Sequence, residues 1–80
     1  MTQDEILAAL LEIFRETFDD GGIELSRDTT ADDVDGWDSL THIQLVSAVE
    51  GHFEVRFKLQ EIMKFDDVGD LCDCIAKHTA

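Results

Sequence analysis

The stretch Asp35-Gly36-Trp37-Asp38-Ser39-Leu40-Thr41-His42-Ile43-Gln44-Leu45-Val46 constrains this chain most. It joins an acidic segment without a period to apolar residues at helical spacing, so it reads as a helix start. Gly36 allows a sharp backbone turn. Asp38 or Ser39 offers a side-chain oxygen to the unpaired N–H groups of the first turn. Leu40, Ile43 and Val46, with Leu45 and Val49 beside them, then recur along helix faces. Capping does not exhaust what Ser39 can do. Its hydroxyl stands at the positive end of a helix dipole, where a negative group is favoured. A phosphate ester built on it would be accommodated there, although Asp and Ser before an apolar run most often act as caps and nothing more.

The flanking segments are helical as well. Thr2-Gln3-Asp4-Glu5 forms a capping box, with Thr2 as cap and Glu5 reaching back. Ile6, Leu7, Leu10, Leu11, Phe14 and Phe18 then share one broad face, with Ile13 at its edge and Glu12, Arg15 and Glu16 toward water. This predicts a helix from about Asp4 to Phe18, stopped by Asp19-Asp20-Gly21-Gly22 with a glycine in the stop position. Residues 21–38 form a long connection, pinned by Ile23, Leu25, Val34 and Trp37. Thr29 to Asp33 can make one short turn capped by a threonine. The second helix should run from Ser39 to about His52. Leu45, Val46, Val49 and Phe53 form its buried stripe, and Leu40, Ile43, Ser47 and Glu50 form a neighbouring one. Phe53 and Phe57 plug the core, and their segment is too short and unpartnered to be a strand. A short helix over Leu59 to Phe65 and a last helix capped by Asp66 or Asp67 follow. The last helix turns Val68, Leu71, Cys72 and Ile75 inward and Cys74 outward. The expected fold is all-α, a small four-helix bundle with three main helices and a short third one, in a single domain spanning 1–80.

Composition narrows the function. The 80 residues contain no proline and five glycines, which favours helices over a turn-rich β fold. Nineteen acidic residues against six basic ones give a net charge of −13. Such a surface repels nucleic acid and anionic membranes, and it speeds encounter with basic partners. No segment is long enough to insert in a membrane, and the acidic start is unlike a secretory signal, so a cytoplasmic protein is expected. Cys72 and Cys74 are too few and too close for a disulfide scaffold, and two residues apart on a helix they do not share a metal. Setting Gly36 at the sixth position of an EF-hand places Asp33 third and Asp35 fifth, but Ala31 first and His42 twelfth. The outer ligands are missing, and no metal site is expected. His42, one turn in from Ser39, reads as an exposed neutral histidine. No nucleophile–base arrangement or phosphate loop stands out at a recognisable spacing.

The run Gly36-Trp37-Asp38-Ser39-Leu40, continuing into Ile43, Leu45 and Val46, resembles the signature of acyl carrier proteins. The layout of nearly the whole chain is similar too. The resemblance implies a carrier and not an enzyme. It implies 4′-phosphopantetheine from coenzyme A on Ser39, with Asp38 holding the serine at the helix start. It also implies docking of enzymes along Leu40, Ile43, Ser47 and Glu50, for which plain core (Leu40, Ile43) and a solvated charge (Glu50) are the alternatives. Ile62, Met63 and Phe65 would line the space an acyl chain enters. The implied partners are a phosphopantetheinyl transferase and acyl-activating, condensing or acyl-transfer enzymes with basic patches, meeting a monomeric carrier. Gln44 and Gly51 are uncharged where fatty-acid members carry acid. The implied cargo is an acyl intermediate of fatty-acid, polyketide or related specialised biosynthesis. With the Trp37 flank, the less acidic helix points to a stand-alone carrier for a specialised polyketide, lipid or similar pathway. Two other readings stay open: a peptidyl or aminoacyl carrier, disfavoured by Gly-Trp-Asp-Ser in place of Gly-Gly-x-Ser, and an unmodified acidic helical adaptor for a basic partner.

Overall fold

The computed structural model describes residues 2–79. In chain order it contains α1 (Gln3–Thr17), a single 3-10 turn (Ala31–Asp33), α2 (Ser39–Phe53), α3 (Leu59–Ile62) and α4 (Val68–Thr79). No strand occurs among the described residues, and the segment around Phe53 to Phe57 is indeed a connection. The observed architecture is therefore the all-α bundle with one short helix that the periodicity predicts.

The start of α1 follows its capping box. The Thr2 hydroxyl accepts the Glu5 N–H at 3.2 Å, and the Glu5 carboxylate accepts the Thr2 N–H at 2.9 Å. Its end differs from the expectation. The left-handed residue is Asp19, with φ 51°, and not a glycine. The Asp19 and Asp20 N–H groups reach back to the carbonyls of Glu16 and Arg15, which closes the helix in a Schellman pattern. Aspartate tolerates this conformation better than most residues, which leaves Gly21 and Gly22 free for the turn beyond. Two further positions on α1 depart from the helical-wheel reading. Ile13 is buried, and Arg15 donates from Nε to the Ile23 carbonyl at 3.1 Å.

Ile6, Leu10 and Phe14 of α1 meet Leu45 and Val49 of α2 and Val68, Leu71 and Ile75 of α4 in one core. Each such side chain contributes roughly 1.5–3 kcal/mol. Exposed ion pairs contribute about 0–1 kcal/mol each, so packing decides the fold. Ile23 and Val34 pin the long connection into this core, with Leu25 and Trp37 half-buried beside them. Its middle docks on the head of α4: the Thr29 and Arg27 carbonyls accept the Val68 and Gly69 N–H groups at 2.9 and 2.8 Å. Gly69 is required by this approach, because a Cβ there would stand 3.0 Å from the Arg27 carbonyl oxygen. Thr30 is the N-cap of the short turn, and Asp33 ties it down, its carboxylate accepting the Thr30 N–H and hydroxyl. Asp67 caps α4, taking the Asp70 N–H at 2.8 Å.

α3 is shorter than the predicted Leu59-to-Phe65 helix and contains no fully buried residue. Polar links hold it in place. Glu61 accepts the Lys58 N–H at 2.9 Å, the Cys74 thiol at 3.2 Å and His78 Nε2–H at 3.1 Å. Cys74 thus faces α3 and not solvent, which corrects the outward placement. The Lys58 amide, then the thiol and the imidazole, hold the Glu61 carboxyl well below its ordinary 4.5, at about 2. A depressed carboxyl stabilises the fold above the unfolded-state value and loses that contribution as acid protonates the folded state. Thermal unfolding of the wild type and Glu61→Gln across pH should therefore show the wild type more stable above about pH 5, with the gap closing as pH falls toward 2. A gap that stays constant across that range contradicts the assignment.

Candidate functional site

The site is built where the long connection enters α2. Gly36 takes φ +87° and turns the chain. Trp37 then wedges its indole edge-on against Phe14, with ring centroids 5.2 Å apart, and lies beside Phe18 at 6.3 Å. The next residue caps the helix. Asp38 Oδ1 accepts the Thr41 N–H at 2.9 Å, and the Thr41 hydroxyl accepts the Asp38 N–H at 2.7 Å. The Thr41 hydroxyl in turn donates to the Gly36 carbonyl at 2.7 Å, tying the turn to the cap. The Thr41 N–H and hydroxyl hold the Asp38 carboxyl below the usual carboxylate range. Of the two candidate caps, Asp38 does the capping.

Ser39 is the first residue of α2 and is exposed. No described residue hydrogen-bonds its side chain, so its hydroxyl is available for chemistry at the positive end of a 15-residue helix. Beside it lies a groove of about 340 Å³, walled by Trp37, His42, Ile62, Met63 and Phe65. These are side chains suited to an apolar guest. Leu40 and Ile43 are 69% and 56% exposed, so neither belongs to the core. Ser47 is exposed as well, whereas Glu50 is half-buried and accepts the Phe57 N–H at 2.9 Å.

His42 departs from its expected exposure. The Trp37 indole N–H donates to His42 Nδ1 at 3.1 Å, which fixes the other ring nitrogen as the protonated one. Nε2–H faces the Ile62 carbonyl at 3.2 Å. The neutral imidazole thus bridges the entry to α2 and the end of α3, 20 residues away in sequence. Nothing in a single sequence pairs His42 with Ile62. The Trp37–His42 spacing of five residues is visible there, but it becomes meaningful only once Trp37 precedes the cap.

The head of α2 thus presents an exposed serine, free of capping duty, next to a groove with apolar walls. Residues 8–75 match the family model described as "Phosphopantetheine attachment site". An acyl carrier protein of Acidothermus cellulolyticus is 36% identical over 83 aligned residues, covering 99% of this chain and 94% of that one. The solution structure of a holo acyl carrier protein from Geobacter metallireducens superposes with a TM-score of 0.85 at 47% identity, covering 90% of this chain and 83% of the other. The chain belongs to the acyl carrier protein family. It is a carrier and not an enzyme, and its cofactor is covalently attached phosphopantetheine. Family membership also implies interaction with a phosphopantetheinyl transferase and with biosynthetic enzymes.

Replacing Trp37 by Phe removes the indole donor and leaves His42 Nδ1 half-buried without a partner. Urea unfolding should show a loss of about 1–3 kcal/mol. No loss would mean the bridge is replaced by water.

Proposed function

We propose that Ser39 takes the 4′-phosphopantetheine arm and that Leu40, Ile43, Ser47 and Glu50 form the docking stripe. When bound, the arm supplies a thiol that holds an acyl group as a thioester. The observation that carries the assignment is the division of labour at the head of α2. Asp38 satisfies the first-turn amides, so Ser39 is left exposed and uncommitted. The helix dipole stabilises the added phosphate, an effect of about 0.3–1 kcal/mol for an exposed charge. Esterifying Ser39 costs no hydrogen bond to a described residue. The groove wall of Trp37, Ile62 and Phe65 would shelter an apolar acyl chain from water.

The exposed Leu40 and Ile43 of α2, with Leu59 of α3 at 68% and Met63 just past its end at 76%, give partner enzymes apolar contacts on the elements beside the groove. Charge on this face is sparse. Glu50 is the single acidic residue of α2, and its carboxylate is engaged by Phe57. Asp35, Asp38 and Glu54 carry the negative charge just outside the two ends of α2. Basic patches on a partner would therefore meet the ends of α2 and not its middle. This distribution supports service to a specialised polyketide, lipid or related pathway over fatty-acid elongation. We also read the protein as a monomer acting in the cytoplasm. No helix among the described residues is long and apolar enough to cross a membrane.

The test is incubation with coenzyme A and a broad-specificity phosphopantetheinyl transferase, followed by intact-mass spectrometry. The wild type should gain one phosphopantetheine and Ser39→Ala should gain none. An equal adduct on Ser39→Ala would move the site elsewhere.

A further inference from the structure

The cluster that fastens α3 to α4 contains three ligand types that a borderline metal ion prefers. Cys74 and His78 lie four residues apart on α4, and so on one face. Glu61 meets them from α3. The Glu61 oxygens stand 3.2 Å from Cys74 Sγ and 3.1 Å from His78 Nε2, and the three ligand atoms all lie within 4.8 Å of one another. A tetrahedral zinc ion with bonds of about 2.0–2.3 Å sets its donors roughly 3.3–3.6 Å apart. The two Glu61 contacts need to lengthen by only a few tenths of an ångström, while Cys74 Sγ and His78 Nε2, within 4.8 Å of each other, draw together by up to about 1.2 Å, a side-chain movement.

We propose that Glu61, Cys74 and His78 form a three-ligand site for a zinc-like divalent ion, bridging α3 to α4. Sulfur, imidazole and carboxylate together favour Zn²⁺ over the hard cations Mg²⁺ and Ca²⁺. The ligands are supported from outside. The Lys58 N–H orients the carboxylate at 2.9 Å, and the Phe57 ring lies edge-on to the His78 imidazole at 5.4 Å. The His78 and Glu61 side chains keep 25% and 19% of their surface in solvent, which leaves water a path to the fourth position. Lys64 and Lys77 line the shallow clefts beside Glu61. They do not forbid the ion, because one carboxylate and one thiolate neutralise a divalent charge. Without metal, burial and the Glu61 carboxylate keep the thiol protonated, pushed up to about 12. On binding, the sulfur–metal bond replaces the S–H bond and that proton leaves to solvent. The His78 ring proton moves through solvent from Nε2 to Nδ1, so that Nε2 exchanges its hydrogen bond to Glu61 for the metal. Neither the Cys72–Cys74 pair nor the acidic run up to Asp35 has metal-ligand spacing. The observed trio does not show in the spacing because Glu61 joins from 13 residues away.

The site is independent of the carrier reading, and the test separates the two. The full chain carrying Ser39→Ala has no arm thiol to compete for metal. Titrated with Co²⁺, it should show a sulfur-to-cobalt charge-transfer band and tetrahedral visible bands, saturating at one equivalent and displaced by Zn²⁺. Adding Cys74→Ser should abolish the band. It should also weaken Zn²⁺ binding by more than the roughly 10- to 100-fold that loss of an outer partner costs. Glu61→Gln, which keeps the side-chain shape, should weaken it too. Cys72→Ser should leave the band, because Cys72 is buried in the core. Absence of the band, or its survival in Cys74→Ser, overturns the proposal.

Discussion

At the head of α2, Asp38 and Thr41 exchange two hydrogen bonds, side chain to backbone in both directions. Four N–H groups at any helix start need partners. Had Ser39 been one of those partners, a group added to its oxygen would have cost the helix its cap. The exchange frees the serine, and the rest of the molecule keeps the exchange in place. Phe14 and Phe18 grip Trp37 from α1. Gly36 supplies the left-handed turn that brings Asp38 into register. The packing of α1 against α2 and α4 positions those two rings.

α3 behaves as the opposite kind of element. It buries no side chain fully and is held at its end by His42 and across its face by Cys74 and His78. Such bonds are worth about 0.5–1.5 kcal/mol each, against roughly 1.5–3 kcal/mol for each core side chain. A segment held this way opens at lower cost than the helices that share the core. Ile62 and Met63 form a wall of the groove, so that wall and the cap beside Ser39 are held by different interactions. An acyl chain needs room that a rigid core would not give.

Helix existence was legible because Ile6, Leu10 and Phe14, and likewise Leu71 and Ile75, repeat on one face of each helix. The Thr2–Glu5 box was legible because its partners lie within one turn. Contacts across the chain were not. Asp19 taking a glycine's role depends on the Glu16 and Arg15 carbonyls being in reach. The need for Gly69 appears only once the Arg27 carbonyl rests on it. His42 reads as a surface histidine until Ile62 arrives from α3. Cys74 looks outward-facing on an isolated helix because the wheel does not know that Glu61 will cover that side.

The central claim is that the serine mount accepts its arm without disturbing the bundle. Amide chemical-shift mapping of the protein before and after loading by the transferase measures this directly. Shifts should be confined to the turn and cap around Gly36 to His42 and to the groove wall around Ile62 to Asp66, with α1 and the body of α4 unchanged. Shifts spread through Leu10, Leu45 and Ile75 would show that the arm is accommodated by repacking the core, and would contradict the account.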